Sequence, residues 1–374
     1  MSESRQVWIG TSGRQKIHVL EQKEGRWCTI AEGGPDCASF LIPGPDGLVI
    51  AAVEADDFEG TPGGGIALCK LQKRKIEVCS KIKGLSRGIC HVAMSPAKRM
   101  IFAASYPEGT VDVLTLDAEN QLSIVKRIQR TGAGPHPKQE TSHAHCCVLT
   151  PNEKILYVCD LGADEIARYD VESLQELDPI KTPPASGPRH LILNQNNSIL
   201  YVVCELSNEI LIMDTQSGIL LQRIDCVLHS GEFCALSSIR FLLEDRLLVG
   251  CRGQNGFWVL EIEPTGLLKN PKFFMTEKIF PWDVAPIERT YLAAAFTKSN
   301  CVQFGRFIQN KWVVEQTYPI KTPTHYIILD LLLNTPVFTG FHKVHTEQMQ
   351  AGTTSSASSG EKCVRQSQRP VVFG

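Results

Sequence analysis

The sequence predicts an all-β chain folded as a seven-bladed β-propeller. Three observations carry this: a unit of roughly 45 to 54 residues that recurs along the chain, period-two alternation of apolar residues inside each unit, and Gly, Pro, Asn and Asp at the breaks. "HCCVLTPNEKILYVCDLGADEIARYDV" from His145 and "RHLILNQNNSILYVVCELSNEILIMDT" from Arg189 share one order: apolar strand, polar turn, second strand, turn, third strand. Fainter copies start at Cys90 ("CHVAMSPAKRMIFAASYPEGTVDVLTL"), Ser237 ("SSIRFLLEDRLLVGCRGQNGFWVLEI") and Trp282 ("WDVAPIERTYLAAAFTKSNCVQFGRF"). A sixth is "ASFLIPGPDGLVIAAVEADD" followed by "GGGIALCKL".

The N-terminal "QVWIGTSGRQKIHVLEQ" reads as the later strands of a blade that lacks its first. A segment near "KTPTHYIIL" is expected to supply that strand and close the ring, which removes the free edges of an open sheet. The propeller is expected over residues 1–333. The remainder, 334–374, is rich in Ser, Thr, Gly and Gln and reads as a largely disordered extension.

Composition narrows the function classes. A net charge of −2 gives no electrostatic reason to expect nucleic acid or a membrane surface as partner. No run of 18 apolar residues is present, and the start, "MSESRQVWIG", lacks an apolar signal region, so a cytoplasmic location is expected. The 14 cysteines sit inside apolar runs without a C-x-x-C pair and read as buried free thiols.

In a propeller, equivalent positions of successive units converge on the central channel. One column, at the start of each first strand, holds Cys90, His145, Arg189 and Trp282; a second, just after the second strand, holds Tyr106, Leu161, Glu205 and Arg252. Core packing would favour small aliphatic residues there, so the charged members mark a polar pocket, and the arginines suit an anion because the guanidinium fork grips carboxylate or phosphate. The cluster "TSHAHCC", residues 141–147, raises a metal site. In a regular strand His143, His145 and Cys147 share a face but spread over about 13 Å, too wide for all three to bind one zinc.

The segments "SHAHCCVLTPNEKILYVCDLG", "SGPRHLILNQNNSILYVVCELSN" and "LLVGCRG" resemble the lactonase family of seven-bladed propellers, which includes propeller-type 6-phosphogluconolactonases and carboxy-cis,cis-muconate cyclases. The resemblance covers roughly residues 5–329 and implies a catalytic set of His145, Arg189, Glu205 and Arg252, with no metal or cofactor. Tyr106, with His91, His143 and His190 beside the first column, are the candidate substrate-binding residues. The implied activity is opening of a small anionic sugar lactone, with water activated by His145 and the oxyanion held by an arginine. Two alternatives stay open: a lactone-forming cycloisomerase, and a non-catalytic propeller that binds a protein. The sequence departs from the family at Trp282-Asp283, where Arg-Asp is usual, and at Ser105, Cys204, Cys251 and Phe296, where Asn is usual.

Overall fold

The computed structural model describes residues 5–334, apart from 14–15, 230, 232, 289, 310 and 321–328, and for 329–334 the backbone only. Among the described residues seven four-stranded antiparallel sheets form the blades. We number them in chain order from the first that is continuous. Blade 1 spans residues 38–85, blade 2 89–129, blade 3 144–181, blade 4 188–225, blade 5 236–275 and blade 6 281–319. Blade 7 is composite. Strands Gln6–Thr11, Ile17–Lys23 and Arg26–Gly33 are its outer three, and Leu329–Asn334 pairs antiparallel with Gln6–Thr11 as the innermost. The closing strand begins where "KTPTHYIIL" ends and runs one residue past the expected boundary. Of the extension expected at 334–374, all but residue 334 lies outside the described residues.

Each repeat fails to bury its own apolar faces and does so against its neighbours. Seven hydrophobic clusters occupy the seven junctions: Val158 and Ala167 of blade 3 pack with Phe102 and Val113 of blade 2, while Tyr157 and Cys159 pack with Leu200 and Leu211 of blade 4. Cys146 and Cys147 divide the same way, one to each junction, as buried core residues. The remaining clusters join blades 1 and 2, 4 and 5, 5 and 6, 6 and 7, and 7 and 1. Among the described residues the core thus runs through all seven junctions as a ring.

Two local devices recur and aim side chains at the channel. The first is a bulge near the start of the innermost strand. Register slips between Ala38 and Phe40, Ile89 and His91, Ala144 and Cys146, Pro188 and His190, and Pro281 and Asp283. The skipped residues are therefore Ser39, Cys90, His145, Arg189 and Trp282. Blade 5 has a longer slip, over Ser237 and Ser238. A bulged residue leaves the ladder and re-aims its side chain.

The second device is a left-handed Asp or Asn in the turn between second and third strands, whose side chain ties down the entry to the next blade. Asp164 (φ 50°) accepts from the Gly187 and Ala185 N–H groups (2.9 and 2.7 Å). Asn208 (φ 61°) accepts from Ala235 N–H at 2.7 Å, and Asn255 (φ 54°) from Phe280 N–H at 3.0 Å. Short Asn and Asp side chains tolerate this backbone and bond locally, which is why these turns carry them.

Candidate active site

The bulges and the turns after the second strands meet in one cavity of about 360 Å³ at an end of the channel. His145, Arg189, Glu205, Arg252, Tyr106 and His190, all singled out from the sequence, line it together.

His145 is set by the loop that precedes it. Asp160 accepts from Ser142 Oγ (2.5 Å) and His143 N–H (2.9 Å), and Leu161 N–H donates to His143 O (3.0 Å). Gly162 permits that approach, since a Cβ there would lie 1.8 Å from Thr141 O. The His145 ring sits edge-on to Tyr106 and to His190, with centroids at 5.7 and 5.2 Å. Its Nδ1 is buried and has no hydrogen-bond partner among the described residues. Burial first, then the charges of Arg189 and Arg252, hold this imidazole well below its ordinary pKa. It is neutral at pH 7, a requirement for a base.

Arg189 and Arg252 are almost wholly buried and share one carboxylate. Glu205 Oε2 lies 3.0 Å from Arg189 Nε and 2.6 Å from Arg252 Nη2. Each guanidinium also donates to backbone: Arg189 Nη1 to Ser237 O (2.8 Å) and Arg252 Nε to Ala235 O (3.2 Å). Arg189 Nη1 also reaches His190 Nε2 at 3.2 Å. Burial pushes the Glu205 carboxyl upward, but Arg252 and Arg189 outweigh it and hold it below the ordinary value. Trp282 covers both guanidiniums, with its ring 5.3 Å from Arg189 Cζ and 4.8 Å from Arg252 Cζ. The blade 6 position thus carries an aromatic face that stabilises the two cations by cation–π contact.

Two expected substrate-binding residues lie off the cavity wall. His143 precedes the strand Ala144–Leu149, and the bulge at His145 breaks the alternation that would have put both rings on one face. It stacks behind Tyr106 (centroids 4.3 Å, 10° between planes) and its Nδ1 meets Tyr106 O at 2.9 Å. His91 follows the blade 2 bulge and points into packing. Its ring lies against Phe40, Nδ1 accepts from Cys147 N–H (3.3 Å), and Nε2 faces Cys146 Sγ. Leu161 of the second column is buried in the protein and also absent from the wall. Among the described residues no three His, Cys, Asp or Glu side chains gather as a metal set, so the "TSHAHCC" side chains part company.

The wall also contains groups to which the sequence reading gave no role: Ser39, Glu54, Ser238, Arg240 and Asp283. Arg240 Nη2 pairs with Asp283 Oδ2 at 2.9 Å. Glu54 follows the strand Val49–Val53 as Glu205 follows Ile199–Cys204, so the repeat register held the signal that would have found it.

The profile of the family described as "Lactonase, 7-bladed beta-propeller" matches residues 6–317. The chain belongs to this family. A Lactococcus lactis relative of uncharacterised function is 28% identical over 241 residues, 64% of this chain and 66% of its own. A Bacillus subtilis protein named 6-phosphogluconolactonase is 28% identical over 181 residues, 47% of this chain and 51% of its own. The chain thus aligns with about half to two thirds of these relatives' length. Among solved structures, a Pseudomonas aeruginosa protein described as a periplasmic gluconolactonase superposes with a TM-score of 0.78 at 22% identity, covering 88% of this chain and 99% of that one. A Lactobacillus plantarum protein gives 0.76, also at 22% identity, covering 87% and 99%. These structures share the fold. No helix among the described residues is long and apolar enough to cross a membrane.

Proposed function

We infer that this chain is a lactone hydrolase that opens a sugar lactone of the 6-phosphogluconolactone kind, in the cytosol, without a metal. The observation that supports it best is the convergence of a neutral buried imidazole and a carboxylate-bridged arginine pair on one small cavity. Membership of the lactonase family, and a relative named 6-phosphogluconolactonase, favour the same chemistry.

In this reading His145 takes a proton from the attacking water, for which a depressed pKa keeps it unprotonated at neutral pH. Arg189 or Arg252 donates to the oxyanion as the carbonyl becomes tetrahedral, inside a wall where little solvent competes. Glu205 holds both guanidiniums in place. Tyr106 and His190 border the substrate, and Arg240 meets its anionic group. His91 and His143 act from behind, by packing the rings that do touch the cavity.

The test is hydrolysis of phosphorylated and unphosphorylated sugar lactones by the purified protein. Acceleration over buffer, loss of about 10²-fold or more of it in His145→Ala, and indifference to chelator support the reading. A rate equal to buffer across the panel overturns it. So does a His145→Ala variant as fast as wild type.

A further inference from the structure

The cavity holds three carboxyl groups in unequal settings. Glu205 is clamped by two arginines and Asp283 is paired with Arg240, whereas Glu54 makes no ion pair with any described residue. It enters from blade 1, at the turn after the second strand, with its backbone N–H fixed to Cys37 O at 2.8 Å. A carboxyl that lines a reaction cavity without a neutralising partner is suited to carry a proton.

We propose that Glu54 is the general acid of this cavity, protonating the ring oxygen of the lactone as its acyl C–O bond breaks, while His145 serves as the base. The proposal rests on the lactonase reading. Water oxygen bonds to the carbonyl carbon and its proton goes to His145. The tetrahedral oxyanion collapses, the ring C–O bond breaks, and the Glu54 proton passes to the departing alkoxide. The proton on His145 returns through solvent to the Glu54 carboxylate. The sum is lactone plus water to hydroxy acid, with both side chains restored.

The surroundings separate the two groups in the sense an acid–base pair needs. Desolvation pushes the Glu54 carboxyl up to about 7, against the pull of the Ser39 hydroxyl and the Arg189 charge. Burial first, and then the nearby Glu54 charge, push the Cys90 thiol on blade 2 up, so it stays protonated. The other charges facing the cavity are compensated in pairs, Arg252 by Glu205 and Arg240 by Asp283. His145 and His190 are both held neutral. Glu205, sharing a wall with Glu54 but clamped, stays ionised and cannot serve.

Glu54→Gln keeps the shape and removes the proton. Two lactones separate its effect: δ-gluconolactone, which must expel an alkoxide, and 3,4-dihydrocoumarin, which expels a phenolate of pKa about 10 that leaves without help. The variant should lose about 100-fold or more on the first and no more than a few-fold on the second. Wild-type kcat/KM on δ-gluconolactone should fall above about pH 7 as Glu54 ionises, a limb the variant lacks. Equal losses on both substrates, or an unchanged alkaline limb, overturn the proposal while leaving the lactonase reading intact.

A measurement without turnover stands beside these. The folded pKa of Glu54 lies above its unfolded value, so wild-type stability is lost as pH rises toward and through 7. Glu54→Gln should therefore melt higher than wild type at pH 8, by a margin that shrinks as pH falls toward 5. A constant difference shows that Glu54 ionises as an exposed carboxyl does, and overturns the proposal. A wild type inert on both lactones overturns it together with the reading beneath it.

Discussion

Replacing Glu205 by glutamine removes the carboxylate that two buried guanidiniums share. Arg189 and Arg252 side chains are 2% and 7% exposed, with Glu205 oxygen 3.0 and 2.6 Å from them. Their own desolvation is not recovered once the charge is gone. Breaking a buried ion pair by removing one partner costs about 3–5 kcal/mol. Glu205 is 16% exposed, and Trp282 still covers both cations, which favours the lower end, about 3 kcal/mol. With about 2.1 cal/mol/K of unfolding entropy per residue, a propeller of roughly 330 residues has about 0.7 kcal/mol/K. The expected drop in Tm is roughly 4 °C, read by scanning calorimetry at pH 7 and fixed ionic strength. Arg252→Met in the Glu205→Gln background should recover part of it, because one unpaired buried charge is then absent. A drop below about 1 °C, or full additivity of the two substitutions, would show that the bridge is not what holds the arginines.

Further expectations follow from the same geometry. Trp282→Arg should shift selectivity toward phosphorylated lactones, read as a ratio of kcat/KM values, at the cost of a lower Tm, since it trades two cation–π contacts for a further cation beside Arg189, Arg240 and Arg252. Asn208→Ala should weaken the entry to blade 5 by about 1 kcal/mol, seen in denaturant midpoints, because Ala235 N–H loses its acceptor beside Arg252. The depressed pKa of His145 has its own signature. The unfolded state binds this proton more readily, so stability present above the ordinary histidine pKa is lost as pH falls below it. His145→Gln should flatten that acid-side fall in Tm.

The fold was legible because a propeller writes itself as repetition. Seven junctions each need the same apolar faces, so turns as unlike as "PAK" and "QNN" do not hide the strands. The columns converged for the same reason: the turn after the second strand brings Tyr106, Glu205 and Arg252 to one cavity, while Leu161 of the same column is buried off its wall. What escaped was direction. Alternation put His143 and His145 on one face, but the bulge takes one extra residue and cancels the rule there. A bulge depends on which backbone groups the neighbouring strand leaves unpaired, and no residue in "SHAHCC" announces it. Glu54 escaped for a different reason. Its repeat is split by the hairpin Asp57–Phe58 and Thr61–Pro62, which obscures the alignment around its turn. Trp282 read as a lost cation, and only the packing shows its ring serving the cations that remain.

The pairing of Gln6 with Asn334 has a meaning for biosynthesis. Until the ribosome has passed Asn334, the first strands it made have an unpaired edge and the ring cannot shut. At about 5–20 residues per second that interval is roughly 15–65 s. Glu54 leaves the ribosome among the first of the cavity residues and Trp282 among the last, so a chain stopped early lacks part of the cavity wall. The nascent chain must instead be guarded along its whole length, and its dependence on chaperones should exceed that of a protein whose domains finish one at a time.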